Sequence, residues 1–223
     1  MELMASFLKF PVPGATIGRL VVGYGELEFF YAVCAGYAIS NTDAGLRVSF
    51  RLRSETNKIE VGLALMEEPY AAAKLTNELD HAIKAMRFCR KVRNQYTHAQ
   101  WAHSYKSLWF ADLEVSAKAE SGFPIKWTLV RPKLLEQQES YFNYVYKYLD
   151  WLRLEYRFKS GKAHLNPFPK PATQSTPSLH SQRTRDTHPG TDVDLSTLPP
   201  EQRQGFLRAV HVSRKAERAE KKK

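Results

Sequence analysis

Residues 75–98 read LTNELDHAIKAMRFCRKVRNQYTH. Leu75, Leu79, Ala82, Met86 and Cys89 recur three and four residues apart, which places them on one helical face. That seam reads as a core face of a long helix expected over residues 71–103. A second stripe, Lys84, Arg87, Lys91, Asn94 and His98, is basic and faces outward. Arg93 lies off it, because about 100° per residue turns it well away from His98. It follows the core seam instead, where a charge needs a partner. Three arrangements meet that need. The long stem wraps round to Asn94 and His98, the helix distorts, or a second copy completes the site. The spacing does not choose among them.

The last six residues combine a guanidinium, an amide and an imidazole within two turns. Arginine is a permanent, forked donor for phosphate oxygens. Histidine exchanges protons near neutral pH. Arg, then Asn, Asp or His, then three residues, then His resembles the signature of HEPN domains, which are all-helical bundles that include many RNases. The resemblance is specific over Arg93–His98 and architectural over residues 17–158. It implies an all-α, up-and-down bundle of about four helices. It also implies a homodimer in which two motifs meet, with RNA as the partner and no metal or cofactor. His98 would then transfer the proton, Arg93 would clamp the phosphate and Asn94 would fix the imidazole. Family members serve in toxin–antitoxin and anti-phage systems, so an antitoxin or defence partner is expected too. The rival expectation is a non-catalytic, dimeric scaffold that binds RNA or nucleotide. The plainest alternative makes Arg93 a helix-end cation favoured by the dipole and His98 a satisfied histidine.

Other residues join the candidate site. Arg87, Arg90 and Lys91 are placed to hold RNA phosphates beside the motif. Trp101 is a candidate to stack on a base, against the plainer role of a core plug. Glu26, on the first helix, is a candidate to orient Arg93 or His98, against the plainer role of a surface carboxylate. Arg47, Arg51, Arg53 and Lys58 form either a phosphate track or a solvated face, and Arg51 has Glu55 four residues on as a partner.

The rest of the chain supplies the frame. Residues 1–16 read as a leader ending in two prolines, Pro11 and Pro13. A helix follows over 17–39, with Leu20, Tyr24, Leu27, Tyr31 and Cys34 on one face. Arg19, Glu26 and Glu28 inside that apolar run argue against a membrane span. A second helix is expected over 44–68, ended by Pro69. The period then changes. Residues 108–115 and 125–130 are rich in aromatic and β-branched residues and read as a β-hairpin inserted before the last helix, 132–158. Residues 159–198 hold many Pro, Ser and Thr and read as a disordered linker. Residues 199–223 read as a basic tail, opened by Pro199 and Pro200, with a short helical stretch.

The chain has 223 residues and a net charge of +10. Residues 159–223 hold 13 Lys and Arg against 6 Asp and Glu, so most of the excess sits beyond the bundle. A basic balance suggests nucleic acid or another acidic partner. The two cysteines, Cys34 and Cys89, lack metal-ligand spacing and suit a reducing cytoplasmic setting. No secretory signal is evident.

Overall fold

Pro11 and Pro13 open a helix rather than ending a leader. In the computed structural model α1 spans Ala5–Lys9 and α2 spans Pro11–Ala38. Proline suits a first helical turn, where its missing N–H has no intrahelical partner to lose. The structure describes residues 5–120, 122–181 and 184–189. The basic tail, residues 199–223, lies outside them. Short α1 packs on the body, with Phe7 edge-on to Trp101 at 4.8 Å between ring centroids. The expected face of α2, from Leu20 through Cys34, is the buried one. Val22 and Phe29 stay exposed on its far side.

The expected second helix is two helices. Helix α3 spans Thr42–Arg51 and α4 spans Glu55–Ala72. Leu52 and Ser54 are extended, and the Ser54 hydroxyl accepts from the Asn57 N–H to cap α4. A serine cap satisfies one of the four orphan donors that start a helix. Asn41 caps α3 in the same way through the Ala44 N–H. Helices α2 and α3 pack backbone to backbone, because a Cβ on Gly45 would lie 2.6 Å from the Gly36 Cα. Pro69 does not end α4. It sits inside the last turn, where it lacks the N–H that would otherwise bond the Leu65 carbonyl.

Helix α5, Thr76–Thr97, stops before the expected residue 103. Residues 99–103 form β1, Ala99–His103, which pairs antiparallel with β2, Leu108–Asp112. The expected hairpin partner is β3, Trp127–Leu129, paired with β2 through Trp109–Leu129 and Ala111–Trp127. Between them α6, Leu113–Ala117, replaces the expected end of the strand. Asp112 starts it by accepting from the N–H groups of Glu114 and Val115. The last long helix, α7, spans Pro132–Lys159 as its period predicts and packs along α2. Tyr70 of α4 stacks on Tyr156 of α7 at 4.6 Å. The fold is therefore mostly helical, with seven helices among the described residues. A small antiparallel sheet of four strands joins them, where the sequence pattern predicts a hairpin insertion.

Residues 162–181 differ most from the expected disordered linker. They form an extended strap along α7 and onto α5. Asn166 donates to the Trp151 carbonyl, Lys170 pairs with Glu78, and Thr176 donates to the Tyr141 hydroxyl. The strap leads to β4, Thr184–Arg185, which adds a fourth strand beside β3. Its prolines keep it extended without needing ladder partners, so its composition looks like a linker even where it is packed. No helix among the described residues is long and apolar enough to cross a membrane.

Candidate functional site at the end of helix five

The core seam of α5 is the expected one, and it continues through Val92 and Tyr96, both fully buried. Arg93 sits beside that continuation with a quarter of its side chain exposed. Its charge is met from α4. Arg93 Nη1 lies 2.7 Å from Glu55 Oε1 and donates to Asn94 Oδ1 at 3.0 Å. Asn94 therefore orients the guanidinium, not the imidazole that the family resemblance implies. The stem of Arg93 does reach Asn94, but it does not go on to bond His98. Glu55 is free for this role because the chain is extended at Leu52 and Ser54. That break takes Glu55 off the helix that carries Arg51, so the expected pair four residues apart is not made.

His98 is the C-cap of α5, with φ −103° and ψ 22°. Its backbone carbonyl accepts from the Leu113 N–H, which ties it to the junction of β2 and α6. Nε2 stands 3.6 Å from Glu114 Oε1, with both side chains about half exposed. The imidazole is thus open to solvent and faces a carboxylate at the start of α6. Arg93 and His98 share one end of α5, each beside its own carboxylate.

The other expected residues divide. Arg87 pairs with Glu60 at 2.8 Å, and Arg90 donates to the Thr56 hydroxyl. Both therefore tie α5 to α4. Lys91 is exposed, as are Arg51 and Arg53 at the break before α4. Lys58 is not on a phosphate track, since it pairs with Glu28 at 3.1 Å in a largely buried bridge. Trp101 packs against Phe7, Tyr96 and Phe110, which makes it a core plug in β1 rather than a stacking platform. Glu26 lines a groove with Arg19, Glu139 and Tyr146 between α2 and α7. The carboxylate that meets Arg93 is Glu55 instead.

Two motif residues that seemed to be spacers, Gln95 and Tyr96, hold the strap. Gln95 Nε2 donates to the His180 carbonyl at 2.8 Å, and the His180 N–H donates to Gln95 Oε1 at 3.2 Å. The Arg131 N–H donates to His180 Nε2 at 2.9 Å, so the neutral ring carries its proton on Nδ1. That proton points to the Tyr96 hydroxyl at 2.8 Å, which in turn donates to Gln138 Oε1 at 2.6 Å. Gln138 Nε2 completes the chain on the Ser178 carbonyl. Burial, and next the Arg131 charge, push His180 down to about 4. Burial also pushes the Cys34 thiol up to about 12 and raises Cys89, so neither is poised as a nucleophile.

Sequence reasoning gave Glu55 to Arg51 rather than to Arg93, and it missed the roles of Glu114, Gln138 and His180. Glu55 follows a serine cap and Glu114 follows an aspartate cap, and those caps were the legible signals. No family model, curated protein or solved structure matches the chain.

Proposed function

We propose that the chain is a metal-independent endoribonuclease of the HEPN type, working on single RNA strands as a homodimer. One observation carries this reading: a solvent-open His98 lies at the end of the same helix that holds Arg93, whose Nε and Nη2 donors are unclaimed among the described residues. Among those residues, only Nη1 of that guanidinium has bonded partners. RNA brings its own nucleophile, the 2′-OH. His98 takes that proton as the oxygen attacks phosphorus, or returns one to the leaving 5′-oxygen. The free edge of Arg93 meets the charge growing on the phosphorane. The bond to the 5′-oxygen breaks, leaving a 2′,3′-cyclic phosphate and a 5′-hydroxyl. One His98 cannot serve both proton steps at once, which is why a second copy is part of the reading. Exposed Lys91, Arg51 and Arg53 supply the positive surroundings that attract a polyanion. A toxin or defence role, with an antitoxin or other protein partner in the cytoplasm, extends this reading.

The firm grip of Glu55 and Asn94 on Arg93 favours a second reading, a non-catalytic module that binds RNA or nucleotide. One experiment separates the two. Pure protein is incubated with mixed RNA in EDTA beside a His98→Ala control. Cleavage that depends on His98 supports the enzyme, and binding without cleavage supports the module.

A further inference from the structure

We propose that Glu55 is a positioning residue for Arg93, which sets the guanidinium so that its Nε–Nη2 edge meets the RNA phosphate. The inference rests on the nuclease reading for its substrate, but its evidence is geometric. Glu55 and Asn94 both engage the same nitrogen, Nη1, at 2.7 and 3.0 Å. The plane of the fork is thereby fixed from two elements, α4 and α5. The edge left over carries two parallel N–H groups, the pattern that matches two oxygens of one phosphate. Glu55 is itself held firmly. It is the first residue of α4, where the helix dipole favours a carboxylate. One turn earlier on α5, Arg90 bonds the neighbouring Thr56. The first turn of α4 is also anchored to α2, by Lys58 on Glu28 and by the Tyr31 hydroxyl on the Ile59 carbonyl. The carboxylate is thus a fixed post for Arg93.

The pairing also has an electrostatic consequence. A carboxylate beside Arg93 cancels part of its charge. A phosphodiester carries one negative charge, and the phosphorane that forms from it gathers more. That attenuation weakens the attraction for ground state and transition state alike, so what Glu55 gives to turnover is the aim of the fork rather than its charge. Removing the Glu55 charge should therefore strengthen binding while the lost aim lowers turnover. A residue that merely braced the helix would lower both through lost fold.

The test is Glu55→Gln in the full chain, with kcat and KM on unmodified RNA and affinity for an RNA bearing 2′-O-methyl groups, which 2′-OH attack cannot cut. The expected result is an affinity equal to or above wild type, with kcat lower by about tenfold to a hundredfold, the scale of a small misplacement at a reacting centre. In an Arg93→Ala background, Glu55→Gln should leave affinity unchanged. Thermal unfolding identifies a variant that has simply lost its fold. In that event Glu55→Asp, which keeps the charge but shortens the arm, must show the fall in kcat. Unchanged or faster turnover by a folded variant overturns the proposal. So does an affinity change that persists without Arg93. A wild type that binds the methylated RNA but never cuts the unmodified strand defeats the nuclease reading instead, and the Glu55–Arg93 coupling in binding still decides the role of Glu55.

Discussion

Gln95 and His180 are joined by two hydrogen bonds through one side-chain amide and one backbone unit, although 85 residues separate them. The link fastens the strap to the motif helix between Arg93 and His98. Because Tyr96 holds the same histidine by its ring, the middle of the motif is a structural clamp. Any release of the strap is felt directly at the candidate site.

That clamp makes stability depend on acid. His180 sits near 4 in the folded chain, against about 6.5 for an ordinary histidine. The unfolded chain binds the extra proton first, so the contribution is whole above about pH 7. It declines as pH falls through 6.5 toward 4 and then levels off. The loss is on the order of 3 kcal/mol, since each unit of difference is worth about 1.4 kcal/mol. Thermal unfolding from pH 7.5 to 4 should show it as the difference between wild type and His180→Gln. Two parallel curves would remove His180 as the cause.

Gly45→Ala should destabilise the chain by about 1–3 kcal/mol, the usual cost of overpacking, or somewhat more. The added Cβ meets the backbone of Gly36 and the Ala32 carbonyl, and no flexible side chain can yield. Gly25→Ala is the matched control, because nothing lies within 4 Å of its Cβ position. Urea unfolding of the pair checks this. Equal midpoints would mean that α2 and α3 do not pack this closely.

Arg93→Ala should abolish RNA cleavage by about a hundred- to a thousand-fold, the cost of one lost electrostatic donor. Arg93→Lys should rescue little, because an ammonium cannot bond Glu55 and present a forked edge together. Asn94→Ala should be milder, since Glu55 still holds Nη1. Initial rates of the three proteins rank them. A lysine variant near wild type would show that only the charge of Arg93 matters.

Much of this frame was legible because its signals are periodic. The seam from Leu75 to Cys89 named the buried face of α5, and Leu20 to Cys34 named that of α2, since a helix repeats its contacts every turn. What was missed depends on contacts distant in sequence. Nothing local in Ala99–His103 ends a helix. Pairing with Leu108–Asp112, and the seat of Trp101 against Phe7 and Phe110, decide it. Residues 162–181 have the composition of a linker, and what shows why they pack is partners far away in sequence, among them Glu78, Gln95, Tyr96 and Gln138. Arg93 announced its need for a partner by following the core seam. The identity of that partner depended on a helix break at residues 52–54, whose local mark is the Ser54 cap.

The central claim is that His98 moves a proton in RNA cleavage. The direct measurement compares wild type and His98→Ala on a defined RNA strand in EDTA, with the product ends analysed by mass. The account predicts that wild type leaves 2′,3′-cyclic phosphate ends and 5′-hydroxyls. The variant should be folded but slower by about a hundred- to ten-thousand-fold, the usual loss with general acid–base catalysis. A His98→Ala protein that cuts RNA as fast as wild type, or a wild type that EDTA stops, would contradict it.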